Sequence, residues 1–135
     1  MTAGLLLALT APLLHAVDEV EPPKVRKQGG TTYVTGGSGE AERKALFKIA
    51  NKFPIQLIFE VEGQEADIAG VKVTLTDQSG NALIEGVSDG PYFYMNPPAG
   101  GRFIIDAEYK GEKQTMTKDL VGRRYLVLEF KFHAK

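Results

Sequence analysis

From Ile55 onward apolar residues alternate with polar ones, whereas ahead of Pro54 they recur at helical spacing. In IQLIFEVE, Ile55, Leu57, Phe59 and Val61 stand against Gln56, Ile58, Glu60 and Glu62, and in VKVTLTD, Val71, Val73 and Leu75 stand against Lys72, Thr74 and Thr76. A period of two sends successive side chains to opposite faces, so each stretch is predicted to be a strand with one buried side. The turn Asp77-Gln-Ser-Gly-Asn81, with Gly80 supplying a positive φ, returns the chain through ALIEGV. RFIIDAEYK places Phe103, Ile105, Ala107 and Tyr109 on one side. Lys110-Gly111-Glu112 reads as the next tight turn, and EKQTMTKDL follows as a weaker strand. RRYLVLEFKF closes the series, with Leu126, Leu128, Phe130 and Phe132 facing one way and Tyr125, Val127, Glu129 and Lys131 the other. Five or six such strands separated by turn residues predict a mainly β fold, an antiparallel β-sandwich. Between Glu40 and Phe53 the period is helical: Leu46, Ile49, Ala50 and Phe53 share a face, and Ala41 and Ala45 extend it. Pro54 ends this stretch, which predicts one amphipathic helix on the N-terminal side of the sandwich.

The first residues change the compartment. Gly4 to Leu14 is apolar apart from Thr10, too short for the roughly 20 residues of a membrane span but the length of a signal-peptide core. Ala16 suits the position before a cleavage site, so residues 1–16 are expected to be a signal peptide and the mature protein periplasmic or secreted. VDEVEPPKVRKQGGTT, residues 17–32, has paired prolines and glycines and no apolar periodicity, and is expected to form a flexible polar arm. The folded domain is then expected over residues 33–135. The chain has no cysteine, so disulfides and thiolate metal sites are excluded. A formal net charge of −1 lacks the strongly basic balance of a general nucleic-acid binder.

Between Ile68 and Leu120 the features come in a recognisable order. IAGVKVTLTDQSGNALIEGVSDGPYFYMNPPAGGRFIIDAEYKG carries a strand after Gly70, a polar turn ending in Gly80, Ser88-Asp-Gly90, a run of aromatics, Pro97-Pro98 with Gly100, and a strand ending in Tyr109-x-Gly111. This order resembles the carboxypeptidase regulatory-like domain, a seven-stranded, transthyretin-like (prealbumin-like) sandwich. The resemblance covers a little under half of the expected mature chain. It implies a non-enzymatic accessory or interaction domain with no cofactor and no catalytic residues. YVTGGSGEAERKAL, residues 33–46, is also similar to a stretch found in small exported bacterial proteins that carry this domain.

Candidate chemistry concentrates in two places. Gly36-Gly37-Ser38-Gly39 precedes the helix, but Glu40 stands where a P-loop needs lysine, and a third glycine of a dinucleotide fingerprint would fall at Glu42. The segment therefore reads first as a turn with Ser38 or Gly39 capping the helix. A weaker reading lets Gly37, Ser38 and Gly39, with Lys44 and Lys48 of a basic stripe that also includes Lys52, hold an anion. The second place is SDGPYFYMNPPAGG. If Phe93 and Met95 turn inward, Tyr92 and Tyr94 turn outward beside Pro97 and Pro98, and these four residues are the candidate contact site for a protein or an envelope polymer. The opposing reading has the arm or the helix covering the tyrosines. Asp77, Ser79 and Asn81 alternate as calcium ligands do, but turns favour the same residues. Glu60 and Glu62 could serve a small carboxylate-dependent hydrolase, which is the alternative to a binding domain; a purely structural part of an envelope assembly is the third reading. His133 is the sole histidine after His15, too close to the C-terminus for a serine–histidine mechanism.

Overall fold

The computed structural model describes residues 20–64, 67–122 and 124–134. The expected signal peptide lies outside the described residues. Along the chain come β1 (Arg26–Gln28), β2 (Thr31–Gly36), helix α1 (Glu40–Phe47), a short 3-10 turn (Ala50–Lys52) and β3 (Ile55–Val61). β4 (Lys72–Asp77), β5 (Ala82–Val87), β6 (Tyr92–Asn96), β7 (Gly101–Tyr109), β8 (Glu112–Leu120) and β9 (Leu126–Phe132) follow. The strands form one sheet in the order β1-β2-β6-β3-β9 and another in the order β5-β4-β7-β8.

The inward faces of the two sheets meet in a single core. Ile55, Leu57 and Phe59 of β3, Phe93 and Met95 of β6 and Phe130 of β9 pack against Val73, Leu75, Ile84, Phe103 and Ile105 of the other sheet. The alternating positions read from sequence are the ones buried in β3, β4, β7 and β9, except Tyr109 and Leu126 at strand ends, which are half-buried. Aromatic stacking adds specificity: Tyr33 lies flat on Phe93 with centroids 5.4 Å apart, and Phe59 meets Phe130 at 5.9 Å. The Asp77–Asn81 turn forms as expected, with Gly80 at φ 87°.

Several expectations are corrected. There are nine strands among the described residues, not seven, because residues 26–28 and 31–36 form two strands where an arm and the start of the fold were expected. Arg26, Lys27 and Gln28 carry no apolar period; they pair with Tyr33, Thr32 and Thr31 of β2. The sheets are not wholly antiparallel, since β9 runs parallel to β3 in a register from Ile55 opposite Leu126 to Val61 opposite Phe132. The helix does not precede the sandwich but lies between β2 and β3, and it ends at Phe47 instead of Phe53. Pro54 requires Phe53 to be extended (φ −128°, ψ 102°), and the chain reaches that geometry by tightening into the 3-10 turn. Gln56 Nε2 then donates to the carbonyls of Ala50 (3.0 Å) and Phe53 (3.1 Å), satisfying acceptors that the shortened helix leaves open.

Two glutamines fasten the corners of the sandwich. The Gln28 side chain donates to the Glu85 carbonyl (2.9 Å) and accepts from the Glu85 N–H (3.0 Å), so one amide occupies part of the outer edge of β5 as a neighbouring strand would. On the opposite side Gln114 Nε2 donates to the Lys131 carbonyl (2.7 Å), and Glu112 Oε1 accepts from the N–H groups of His133 (2.7 Å) and Ala134 (2.9 Å).

Candidate functional site

The glycine-rich turn after β2 does present backbone N–H groups in a concave array, and the chain fills it with its own carboxylates. Gly37 N–H donates to Glu42 Oε1 at 2.7 Å and Ser38 N–H to the same oxygen at 3.3 Å, while Gly39 N–H donates to Asp67 Oδ2 at 2.8 Å. Arg43 closes the cluster, 3.5 Å from Asp67 Oδ1 and 3.4 Å from the Gly37 carbonyl. An incoming phosphate would have to displace two anions, so the expected anion site at Gly37, Ser38 and Gly39 is corrected to an internal latch. Lys44 pairs with Glu40 across one helical turn (3.8 Å), and Lys48 is exposed at the helix end. Gly37 is required by contact as well as by conformation: at φ 92°, a Cβ there would lie 2.4 Å from Tyr92 Cδ2.

The aromatic segment obeys the alternation but not its expected consequence. Phe93 and Met95 enter the core, and Tyr92 and Tyr94 project from the other face of the sheet. That face is not open. Leu46 of α1 and Phe53 behind it pack on Val34 and Tyr94, leaving Tyr94 3% exposed. Burial, with the neighbouring Tyr92 adding to it, pushes the Tyr94 phenol up to about 12. Tyr94 therefore cannot be part of an exposed contact pair, because the helix occupies the surface it was expected to offer. Tyr92 is half-buried and meets Phe47 in a T-shaped contact with centroids 5.4 Å apart. It lines a cleft of about 380 Å³ together with Arg43, Asp67 and Ile58.

Pro97 and Pro98 lie elsewhere, at a second cleft of about 420 Å³ where Pro54, Asn51, Arg124 and Tyr125 join them. Pro97 is buried and supports the corner; Pro98 is exposed. Tyr125 is 50% exposed, and its hydroxyl donates to the Asn51 carbonyl at 2.9 Å, which fixes the ring beside the 3-10 turn. Leu126 N–H donates to the Pro54 carbonyl at 2.7 Å and anchors the opposite wall. The resulting lining combines proline faces, an aromatic ring, the side-chain amides of Asn51 and Asn96, and the guanidinium of Arg124. Such a surface suits a ligand that presents apolar faces and hydrogen-bonding groups together.

The remaining acidic groups are engaged locally. Glu60 pairs with Lys131 at 3.6 Å and Glu62 with His133, all on exposed surface. Asp77 Oδ1 accepts from the N–H groups of Ser79 (3.0 Å) and Asn81 (2.9 Å); these bonds, with the Asn81 backbone bond foremost, hold its carboxyl below the ordinary range. The Asp77 carboxylate thus serves the turn itself. Among the described residues no group of three or more histidine or acidic side chains is placed to hold a metal ion.

Sequence reasoning joined Tyr92, Tyr94, Pro97 and Pro98 into one site, whereas the structure divides them between two clefts and a covered face. It passed over Asn51, Arg124 and Tyr125. Tyr125 carried a signal, since it begins the outward-facing row of RRYLVLEFKF directly after two arginines. No family model, curated protein or solved structure matches the chain.

Proposed function

We propose that the chain is an exported, non-enzymatic binding domain of the carboxypeptidase regulatory-like kind, acting in the periplasm or outside the cell. In this reading it contacts a protein or an envelope polymer through the cleft at Pro97 and Pro98. The observation that carries the reading is the makeup of that cleft, where the half-exposed Tyr125, the exposed Pro98, Asn51 and Arg124 come together around about 420 Å³. The order of features from Ile68 to Leu120 supports the kinship, with β1, β2 and α1 as additions to the seven-stranded plan. The apolar run from Gly4 to Leu14 supports export.

The test is binding of the full chain to arrays of glycans and peptides and to an envelope fraction. A ligand held by the wild type and by Tyr92→Ala, but lost in the Arg124→Ala/Tyr125→Ala pair with melting unchanged, supports the cleft. A ligand retained by the pair refutes it. Hydrolytic turnover abolished by Glu60→Gln or Glu62→Gln would replace the binding reading with the carboxylate-dependent hydrolase.

A further inference from the structure

Among the described residues strand β9 ends its sheet, with β3 as its sole neighbour in the sheet order. Leu126 N–H donates to Pro54 and the Phe132 carbonyl accepts from Glu62, so Leu126, Leu128, Phe130 and Phe132 turn their backbone groups toward β3. By the period of two, the N–H and C=O groups of Val127, Glu129 and Lys131 turn to the open side. At Lys131 the carbonyl is taken by Gln114, and beyond it the His133 N–H is taken by Glu112. Val127 and Glu129 are left facing outward, flanked by the half-exposed side chains of Tyr125 and Val127 themselves.

The other sheet edges are guarded. β1 is three residues long and carries Arg26 and Lys27, β5 is clasped at Glu85 by Gln28, and β8 bears Lys113, Lys118 and Asp119 on its exposed positions. Short length, a covering group and charge are the usual means by which an edge avoids pairing with another chain. Among the described residues the first half of β9 has no covering group, and Glu129 is its one charge.

We infer that this half-edge pairs with the same strand of a second copy, giving a two-fold dimer with one sheet continued across both chains. Identical strands related by a two-fold axis run antiparallel, and the local sequence selects the register. Setting Val127 opposite Val127 joins the two apolar side chains on one face and brings Leu126 and Leu128 of each copy together along the rim of the core on the other. It also places Glu129 opposite Tyr125 and one residue from Arg124 of the second copy, a favourable charge placement. Sliding toward the C-terminus sets Val127 or Glu129 against Glu129 and drives the second strand into the clasp at Lys131. A carboxylate opposite a carboxylate is unfavourable in a sheet.

Sedimentation of the full chain over a concentration series tests the pairing. The wild type forms a reversible dimer. Val127→Lys, at a position 55% exposed, weakens association by about tenfold or more while leaving melting unchanged. Because the chain has no cysteine, Val127→Cys supplies a single thiol that cross-links under mild oxidation faster than Glu129→Cys or Lys113→Cys. A wild type that stays monomeric at millimolar concentration overturns the proposal and leaves the edge to an extended peptide of another protein. A dimer undiminished by Val127→Lys, or faster cross-linking through Glu129→Cys, overturns it as well.

Discussion

Raising the pH through the titration of Tyr94 should destabilise the protein. Tyr94 is 3% exposed, and its folded value of about 12 lies above the reference value of 10.0. A raised value in an acid means that the folded state favours the neutral form. Its contribution is therefore complete below 10.0, where both states keep the proton, and falls away between 10.0 and about 12 as the unfolded chain ionises first. At about 1.36 kcal/mol per unit, the loss over that window is about 2 to 3 kcal/mol. Tyr94→Phe removes the titration and keeps the ring on Phe53, whose centroid is 6.5 Å away. Near neutrality this variant should match the wild type closely, and in alkali it should be the more stable of the two by the same amount. Tyr94→Ala should instead cost about 3 to 5 kcal/mol at every pH, as truncation of a buried aromatic does. Urea unfolding across the window measures the difference, and tyrosinate absorbance of the folded protein reports the ionisation directly. Wild type and Tyr94→Phe losing stability in parallel from 10.0 to about 12 would refute the assignment of Tyr94 to the interior.

Two further outcomes follow from the turn regions. Gly90→Ala would place a Cβ 2.5 Å from the Gly36 carbonyl oxygen and 2.6 Å from its carbon, both backbone atoms held by the pairing of Gly36 with Tyr92, and should cost about 1 to 3 kcal/mol in denaturant unfolding. Gly80→Ala meets nothing within 4 Å and carries only the strain of its positive φ, about 1 kcal/mol; a larger loss at Gly80 than at Gly90 would contradict the packing account. Glu42→Ala opens the latch over Gly37 and Ser38 and should lower stability by about 1 to 2 kcal/mol, part of it regained in phosphate buffer; the wild type should show no such gain.

The legible parts of the fold were those in which one face of an element is apolar. β3, β4, β7 and β9 announce themselves because their inward residues line a common core. β1 could not be read that way, since Arg26, Lys27 and Gln28 are placed by the β2 ladder and by the amide of Gln28 on Glu85, neither of which leaves a hydrophobic signature. The parallel partnership of β3 and β9 is equally silent, because alternation specifies a face and not a neighbour. At the site, alternation assigned Tyr92 and Tyr94 correctly to the side away from Phe93 and Met95. It could not say that Leu46 and Phe53 would return over that side. The cleft at Pro97 and Pro98 draws on residues as distant in sequence as Asn51 and Tyr125, 74 residues apart, so only the folded chain brings it into view.

The parallel register of β3 against β9 also orders events during synthesis. Until Leu126 to Phe132 leave the ribosome, β3 has β6 on one side and a bare ladder on the other, and Phe59 lacks the rings of Phe130 and Phe132 that complete its surroundings. Closure of the sandwich waits for β9, whose Leu126 pairs with Ile55 across all the intervening strands, a non-local step of the kind that slows β proteins. A nonsense codon before Leu126 would thus release a polypeptide in which one side of β3 is uncovered, a substrate for chaperones and proteases rather than a shortened version of the domain.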